Sequence, residues 1–141
     1  MGEKESILIV DDDESTRKSL ALILGKKGYE TGTAGTGREA LERVQERFFN
    51  VALLDIKLPD MEGVELLMPL KRMHPEMSVL MITGHSSLES AVRSSLEGAL
   101  AYITKPLNMD SVLTAVRKAL EKQRRTMATR RLSKETQQEL T

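Results

Sequence analysis

No cysteine occurs among the 141 residues, so neither a disulfide framework nor a thiolate metal site can be built. No apolar run approaches the roughly 20 residues that a membrane helix needs. The first residues, Met1-Gly2-Glu3-Lys4-Glu5, have neither the basic region nor the apolar core of a signal peptide. Nothing in this stretch points to secretion, and a cytoplasmic protein with no membrane partner is the expectation. The only histidines, His74 and His85, are not spaced as a zinc pair.

Net charge is absent too, since 21 Lys and Arg balance 21 Asp and Glu. The balance is uneven along the chain. Residues 122–141 hold Lys122, Arg124, Arg125, Arg130, Arg131 and Lys134 against Glu135 and Glu139, a net +4 that leaves −4 on residues 1–121. This reads as an acidic domain with a basic tail. The tail lacks aromatics and a recognisable binding motif, so a solvated helix or linker is the plainer reading and direct nucleic-acid binding is not expected.

What is present is a pattern. The length suits one domain with a single core. Short apolar runs alternate with helical stretches five times. Strand β1 is expected near 6–10. Helix α1, about 14–27, turns Leu20, Ile23 and Leu24 inward and stops at Gly28, a good residue just past a helix end. Strand β2, Glu30 to Ala34, is the least apolar. Helix α2 opens with Thr36 and Glu39 at capping-box spacing and buries Ala40, Leu41, Val44 and Phe48. Strand β3 is 51–54. After the loop from Ile56 to Glu62, helix α3 lines up Val64, Leu67 and Leu70 and ends before Pro75. Strand β4 is 79–82. Helix α4, near 87–97, packs Leu88, Val92 and Leu96. Strand β5 runs from Ala101 to Thr104. Helix α5 starts after Pro106 and Asn108, with Met109, Val112, Leu113, Val116 and Leu120 inward.

Alternation of this kind calls for a parallel sheet with right-handed crossovers. The most apolar strands, β1, β3 and β4, belong in the middle, and β2 and β5 at the edges. That gives a flavodoxin-like (βα)5 doubly wound sheet of order 2-1-3-4-5, whose switch point lies between β1 and β3.

Ligands bind such a sheet beyond the carboxyl ends of its strands. Asp11 and Asp12 follow β1, Asp55 follows β3, Thr83 follows β4, and Lys105 follows β5. Three carboxylates, a hydroxyl and an ammonium should therefore meet. At about 5 Å and an effective dielectric near 20, each carboxylate pair repels by roughly 3 kcal/mol. A hard dication relieves that repulsion, and oxygen-only ligands suit Mg²⁺. A phosphoryl group on Asp55 would offer oxygens to the metal, to Lys105 and to Thr83, and such transfer needs mainly positioning and charge neutralisation.

These residues resemble a known family. Val10-Asp11-Asp12, Leu54-Asp55-Ile56-Lys57-Leu58-Pro59, Ile82-Thr83-Gly84 and Tyr102-Ile103-Thr104-Lys105-Pro106 are similar to the motifs of receiver domains of two-component response regulators, over about residues 5–122. The resemblance implies that Asp55 is the phosphoacceptor. It implies that Mg²⁺ is held by Asp12, Asp55 and the Lys57 backbone carbonyl, with Asp11 acting through water. Lys105 would contact the phosphoryl group, its bond to Pro106 would be cis, and Thr83 and Tyr102 would be the switch pair. Lys57 and His85, two positions past the acceptor and the switch threonine, would modulate dephosphorylation. The implied partner is a sensor histidine kinase or phosphotransfer protein, with a receiver homodimer through α4–β5–α5 as a further one. Activity would be limited to self-catalysed phosphotransfer and autodephosphorylation. Residues 1–122 would form the receiver and 123–141 a basic linker or tail, helical or disordered. So short a tail cannot hold a DNA-binding fold, so a stand-alone receiver or a piece of a larger regulator or hybrid kinase is expected.

Plainer readings exist for each residue alone. Asp13 reads as the N-cap of α1. Met68, Met73, Met77 and Met81 read as core filler. A lone Lys-Pro is usually a loop, and a tyrosine on an edge strand is usually packing. The signal lies in four strand-end positions in the right order. An alternative is a haloacid-dehalogenase-like phosphatase, with Asp11 as nucleophile and Asp13 as acid/base, followed by Thr83 and Lys105. That family expects an acidic pair after the lysine, where only Asp110 lies nearby, and has no use for the Asp55 motif. A third reading, a receiver-like module that binds a partner without phosphorylation, sits poorly with an intact acceptor set. Two features depart from the pattern. Pro69 falls inside α3, where it should bend or delay the helix. Gly98-Ala99-Leu100-Ala101-Tyr102 lacks the acidic residues used by many winged-helix regulators for dimer ion pairs.

Overall fold

Among the described residues, the core lies on the two faces of one sheet. In the computed structural model, which describes residues 4–84 and 98–140, five parallel strands pair in the order β2-β1-β3-β4-β5. They are β1 Ser6–Val10, β2 Glu30–Ala34, β3 Val51–Asp55, β4 Ser78–Thr83 and β5 Ala101–Thr104. The described helices are α1 Glu14–Lys26, α2 Gly37–Glu46, α3 Gly63–Met73 and α5 Met109–Leu140. The expected α4 lies outside the described residues. The flavodoxin-like order read from the sequence is the observed one.

Side chains of a strand alternate between faces, and here both faces are covered. Leu8, Val10, Ala52, Leu54, Val79 and Met81 pack with Ala40, Val44, Val64, Leu67 and Leu70 of α2 and α3. Ile7, Ile9, Val51, Leu53, Leu80 and Ile82 pack with Leu20 and Leu24 of α1 and Val112, Val116 and Leu120 of α5. This explains why the central strands read as continuous apolar runs rather than alternating ones. Truncating Leu53 or Leu54 to Ala would cost about 2–5 kcal/mol.

Helix ends follow local chemistry. Gly28 stands just past α1 with a φ of 97°, a backbone shape that few residues other than glycine adopt. Thr36 caps α2 by accepting from the Glu39 backbone N–H at 3.0 Å. Asn108 opens α5, accepting from the Ser111 N–H through its side chain and from the Val112 N–H through its carbonyl. α3 runs through Pro69 without delay. The proline leaves the Glu65 carbonyl without its helical donor, and Glu65 is exposed, where water can take that place.

Some expectations are corrected. Phe48 is exposed, and Phe49 is the buried ring. α2 ends at Glu46, and Arg47 is extended, so the helical period no longer governs the next residues. Phe49 fits because its ring lies over Gly32, where any Cβ would stand 2.7 Å from Cζ. Of the four methionines, Met77 and Met81 are core, whereas Met68 and Met73 are exposed. Asp13 does occupy the N-cap of α1, but its carboxylate makes no bond to a helix N–H. It accepts instead from the Thr16 hydroxyl at 2.6 Å, which holds its pKa below the usual value.

α5 leaves the core through a polar clasp. Gln123, buried, donates to the carbonyls of Asn50 at 2.9 Å and Glu76 at 2.6 Å, and accepts from Asn50 Nδ2 at 3.0 Å. Arg124 pairs with Glu5, and Arg130 pairs with Glu76.

Candidate functional site

Strand register sets the site. Val10 pairs with Leu54, Leu54 with Met81, and Asp55 with Ile82. Asp11, one residue past Val10, and Asp55, one past Leu54, therefore stand side by side on neighbouring strands. Thr83 ends β4 opposite Thr104, and Lys105 is the next residue of the β5 segment. The described part of Thr83 is its backbone.

Lys105 Nζ donates to Asp11 Oδ2 at 2.9 Å and to Asp55 Oδ2 at 3.3 Å. Asp11 and Asp55 are both buried. Their other oxygens face backbone donors: Asp11 Oδ1 accepts from the Asp13 N–H at 2.9 Å, and Asp55 Oδ1 from the Lys57 N–H at 3.3 Å. Burial pushes the Asp55 carboxyl above its ordinary range, the Asp11 charge pushes it the same way, and Lys105 opposes both. For Lys105, burial favours losing the proton, but the hydrogen bond to Asp11 and the charge of Asp55 outweigh it, so the ammonium is held above its ordinary value.

Asp12 completes the cluster from an exposed position. One carboxylate oxygen each from Asp11, Asp12 and Asp55 lie within 4.8 Å of one another. Two buried carboxylates sharing one ammonium, with a third beside them, remain short of positive charge. Their donors are all hard oxygens, so the set fits Mg²⁺.

The other site residues fall as follows. The Lys105–Pro106 bond is cis. Tyr102 on β5 is half-buried, pairs with Met81 and packs against the core on the α2–α3 side. Lys57 is exposed in the loop after β3, where its backbone forms an isolated antiparallel β-bridge with that of Glu62. His85 lies outside the described residues. Asp13 is turned to Thr16, so the acid/base role of the phosphatase alternative has no support in its contacts.

Two contributors escaped sequence reasoning. Arg17 on α1 donates to the Asp11 carbonyl at 2.7 Å and fixes the chain where it enters the site. Asp60, in the loop after β3, accepts from the Gly37 and Arg38 N–H groups at the start of α2. A basic residue on a first helical turn and an acid in a loop are too common to single out. Their partners are set only by the tertiary fold.

The response regulator receiver domain description matches residues 7–117. The transcriptional regulatory protein ZraR of Escherichia coli O157:H7 is 41% identical over 114 residues, covering 81% of this chain and 26% of that protein. The chain thus spans about a quarter of the length of the curated relatives it matches. A response regulator receiver domain protein (CheY-like) from Methanospirillum hungatei JF-1 superposes with a TM-score of 0.86 at 44% identity, covering 88% of this chain and 99% of that one. The beryllofluoride-activated NtrC4 receiver domain dimer gives a TM-score of 0.80 at 38% identity, covering 84% of this chain and 98% of that one. Sheet order, acidic cluster and bridging lysine agree with these relatives, and the chain belongs to the response regulator receiver domain family.

Proposed function

We propose that Asp55 accepts a phosphoryl group and that this chain works as a phosphorelay switch rather than as an independent enzyme. The observation that carries this reading is the Lys105 ammonium placed between Asp11 Oδ2 and Asp55 Oδ2. A cation so placed can follow a phosphoryl oxygen once Asp55 is modified, while Asp11 stays paired.

Transfer joins an Asp55 carboxylate oxygen to phosphorus as the bond from phosphorus to the donor breaks. With a phosphohistidine donor, the imidazole nitrogen keeps the electron pair. Asp12, Asp55 and the Lys57 backbone carbonyl would hold Mg²⁺, with Asp11 acting through water. When bound, the metal neutralises charge on the transferring group. Asp55 is buried and Asp12 beside it is exposed, so a donor would approach from the Asp12 side. Lys57 and His85 are proposed to modulate the later attack of water, which phosphoryl lifetimes in Lys57→Ala and His85→Ala would test.

The switch reading assigns Thr83 and Tyr102 to reporting the modification. The group adds about −1.5 to −2 charge and three acceptor oxygens. A Thr83 hydroxyl drawn toward it would vacate space beside β5, into which the Tyr102 ring could turn. That would alter the α4–β5–α5 face, where a homodimer or other partner would dock. A dimer is on record for the NtrC4 receiver, and its extension to this chain is part of the proposal. A sensor histidine kinase or phosphotransfer protein would be the donor, in the cytoplasm. Residues 1–122 would be the receiver proper and 123–141 the basic tail.

Fluorine NMR with beryllofluoride tests the reading. A bound signal should require Mg²⁺ and vanish in Asp55→Asn. Tyr102 resonances should shift on binding. A bound signal that persists in Asp55→Asn would overturn the assignment.

A further inference from the structure

The loop after β3 is tied to a helix that takes no other part in the site. Asp60 accepts from the Gly37 N–H at 2.8 Å through Oδ1 and from the Arg38 N–H at 3.0 Å through Oδ2. Both carboxylate oxygens are thereby used on the first turn of α2. The next residue, Met61, rests on the same turn: a Cβ on Gly37 would meet its Sδ at 2.5 Å. Within the loop, the Leu58 N–H donates to the Met61 carbonyl at 3.1 Å, and the Lys57 and Glu62 backbones form an isolated antiparallel β-bridge. At its far end Gly63 lies on the Asp55 carbonyl, where there is no room for a Cβ. The loop is thus held at both ends by Asp55 and Gly63, and at its tip by α2.

The cap of α2 is shared between its own end and this distant loop. Thr36 already serves the Glu39 N–H from its own helix end, and the Ala40 N–H bonds to the Thr36 carbonyl. Asp60 reaches the remaining two orphan donors from more than 20 residues further along the chain. A carboxylate at a helix start also meets the positive end of the helix dipole. The anchored loop is the one that carries Lys57, whose carbonyl is the only proposed metal ligand that does not belong to the acidic cluster.

We propose that Asp60 is a positioning residue for the metal site: it clamps the loop after β3 to the start of α2 and thereby holds the Lys57 carbonyl where Mg²⁺ binds. The inference rests on the receiver reading above. Groups that orient a ligand without touching the metal commonly change affinity by about 10–100-fold when removed. A backbone carbonyl on an unclamped loop loses its orientation in the same way.

The test titrates Mg²⁺ by calorimetry into the wild type, Asp60→Ala, Asp60→Asn, Thr36→Ala and Asp12→Ala. Amide hydrogen exchange of Leu58, Gly37 and Arg38 is measured without metal. Asp60→Ala should weaken Mg²⁺ binding roughly tenfold and speed exchange at Leu58. Asp60→Asn, which keeps one acceptor oxygen, should fall between. Thr36→Ala removes a cap from the same helix and should leave Mg²⁺ affinity within about twofold of the wild type. Asp12→Ala should abolish binding if the receiver reading holds. Loss of binding in Asp12→Ala with near-wild-type affinity and unchanged Leu58 exchange in Asp60→Ala would overturn the positioning role alone. Wild-type affinity in Asp12→Ala would overturn the metal-site reading and this inference with it.

Discussion

Lys105 Nζ lies 2.9 Å from Asp11 Oδ2, a partner 94 residues away in the chain. The same ammonium reaches Asp55 on the neighbouring strand at 3.3 Å. One cation therefore compensates two buried carboxylates, and the stability of the fold and the chemistry of the site depend on one side chain.

Replacing Lys105 by Ala should expose that dependence. Losing one partner of a buried ion pair typically costs 3–5 kcal/mol, and the partial exposure of Lys105 lowers the expectation to about 2–3 kcal/mol at pH 7. Urea unfolding gives the number. Mg²⁺ should recover part of the loss, because it supplies positive charge to the same oxygens. A variant as stable as the wild type, or one indifferent to Mg²⁺, would contradict the pairing.

The pH dependence of stability follows from Asp55. Its folded pKa is raised, by burial first and by Asp11 second. The folded protein therefore holds this proton to higher pH than the unfolded chain does. As pH rises from the ordinary carboxylate value through the folded one, stability falls. Asp55→Asn should stabilise the metal-free protein at pH 7 and flatten that part of the curve. Lys105 acts at the other end: its raised pKa adds stability that is complete below the ordinary lysine value and is lost as pH climbs through the folded one. Thermal unfolding across pH, with Asp55→Asn and Lys105→Ala alongside, checks both signs.

Asp12 should behave differently from its neighbours. It is exposed, so water already screens much of its repulsion with Asp55. Asp12→Ala should change metal-free stability by no more than about 0.5 kcal/mol. Stabilisation by Mg²⁺ should nevertheless disappear. Large destabilisation of the metal-free variant would place Asp12 in a structural role instead.

Gln123 should matter more than its place near a polar tail implies. Its amide satisfies the Asn50 and Glu76 carbonyls and the Asn50 side chain where α5 leaves the sheet. Gln123→Ala should cost about 1–2 kcal/mol, because the half-buried Glu76 carbonyl and Asn50 amide lose their partner while the Asn50 carbonyl keeps the Ser78 N–H. A chain ending at Lys122 should lose at least as much. Equal stability for that shortened chain would show that the fold needs nothing beyond residue 122.

The sequence made the fold legible where both faces of a strand are covered. Ile7 to Val10, Val51 to Leu54 and Val79 to Ile82 are apolar throughout, and each ends beside a site residue. The acidic cluster was readable because its members stand next to those runs. What was hidden depends on contacts distant in sequence. Phe49 replaces Phe48 in the core because the chain straightens at Arg47 and Gly32 leaves room for the ring. Asp13 turns to a hydroxyl three residues on rather than to the helix backbone. Asp60 and Gln123 find their partners on other elements, and no local pattern announces them. The methionines at 68 and 73 face outward, since α3 buries Leu66, Leu67 and Leu70 instead.

The central claim, phosphorylation at Asp55, is tested most directly by mass spectrometry. The protein is incubated with acetyl phosphate and Mg²⁺, and the intact mass is recorded. One added phosphoryl group should appear, should require Mg²⁺, and should be absent from Asp55→Asn. An adduct that survives in Asp55→Asn but disappears in Asp11→Asn would place the nucleophile on β1 and contradict the account.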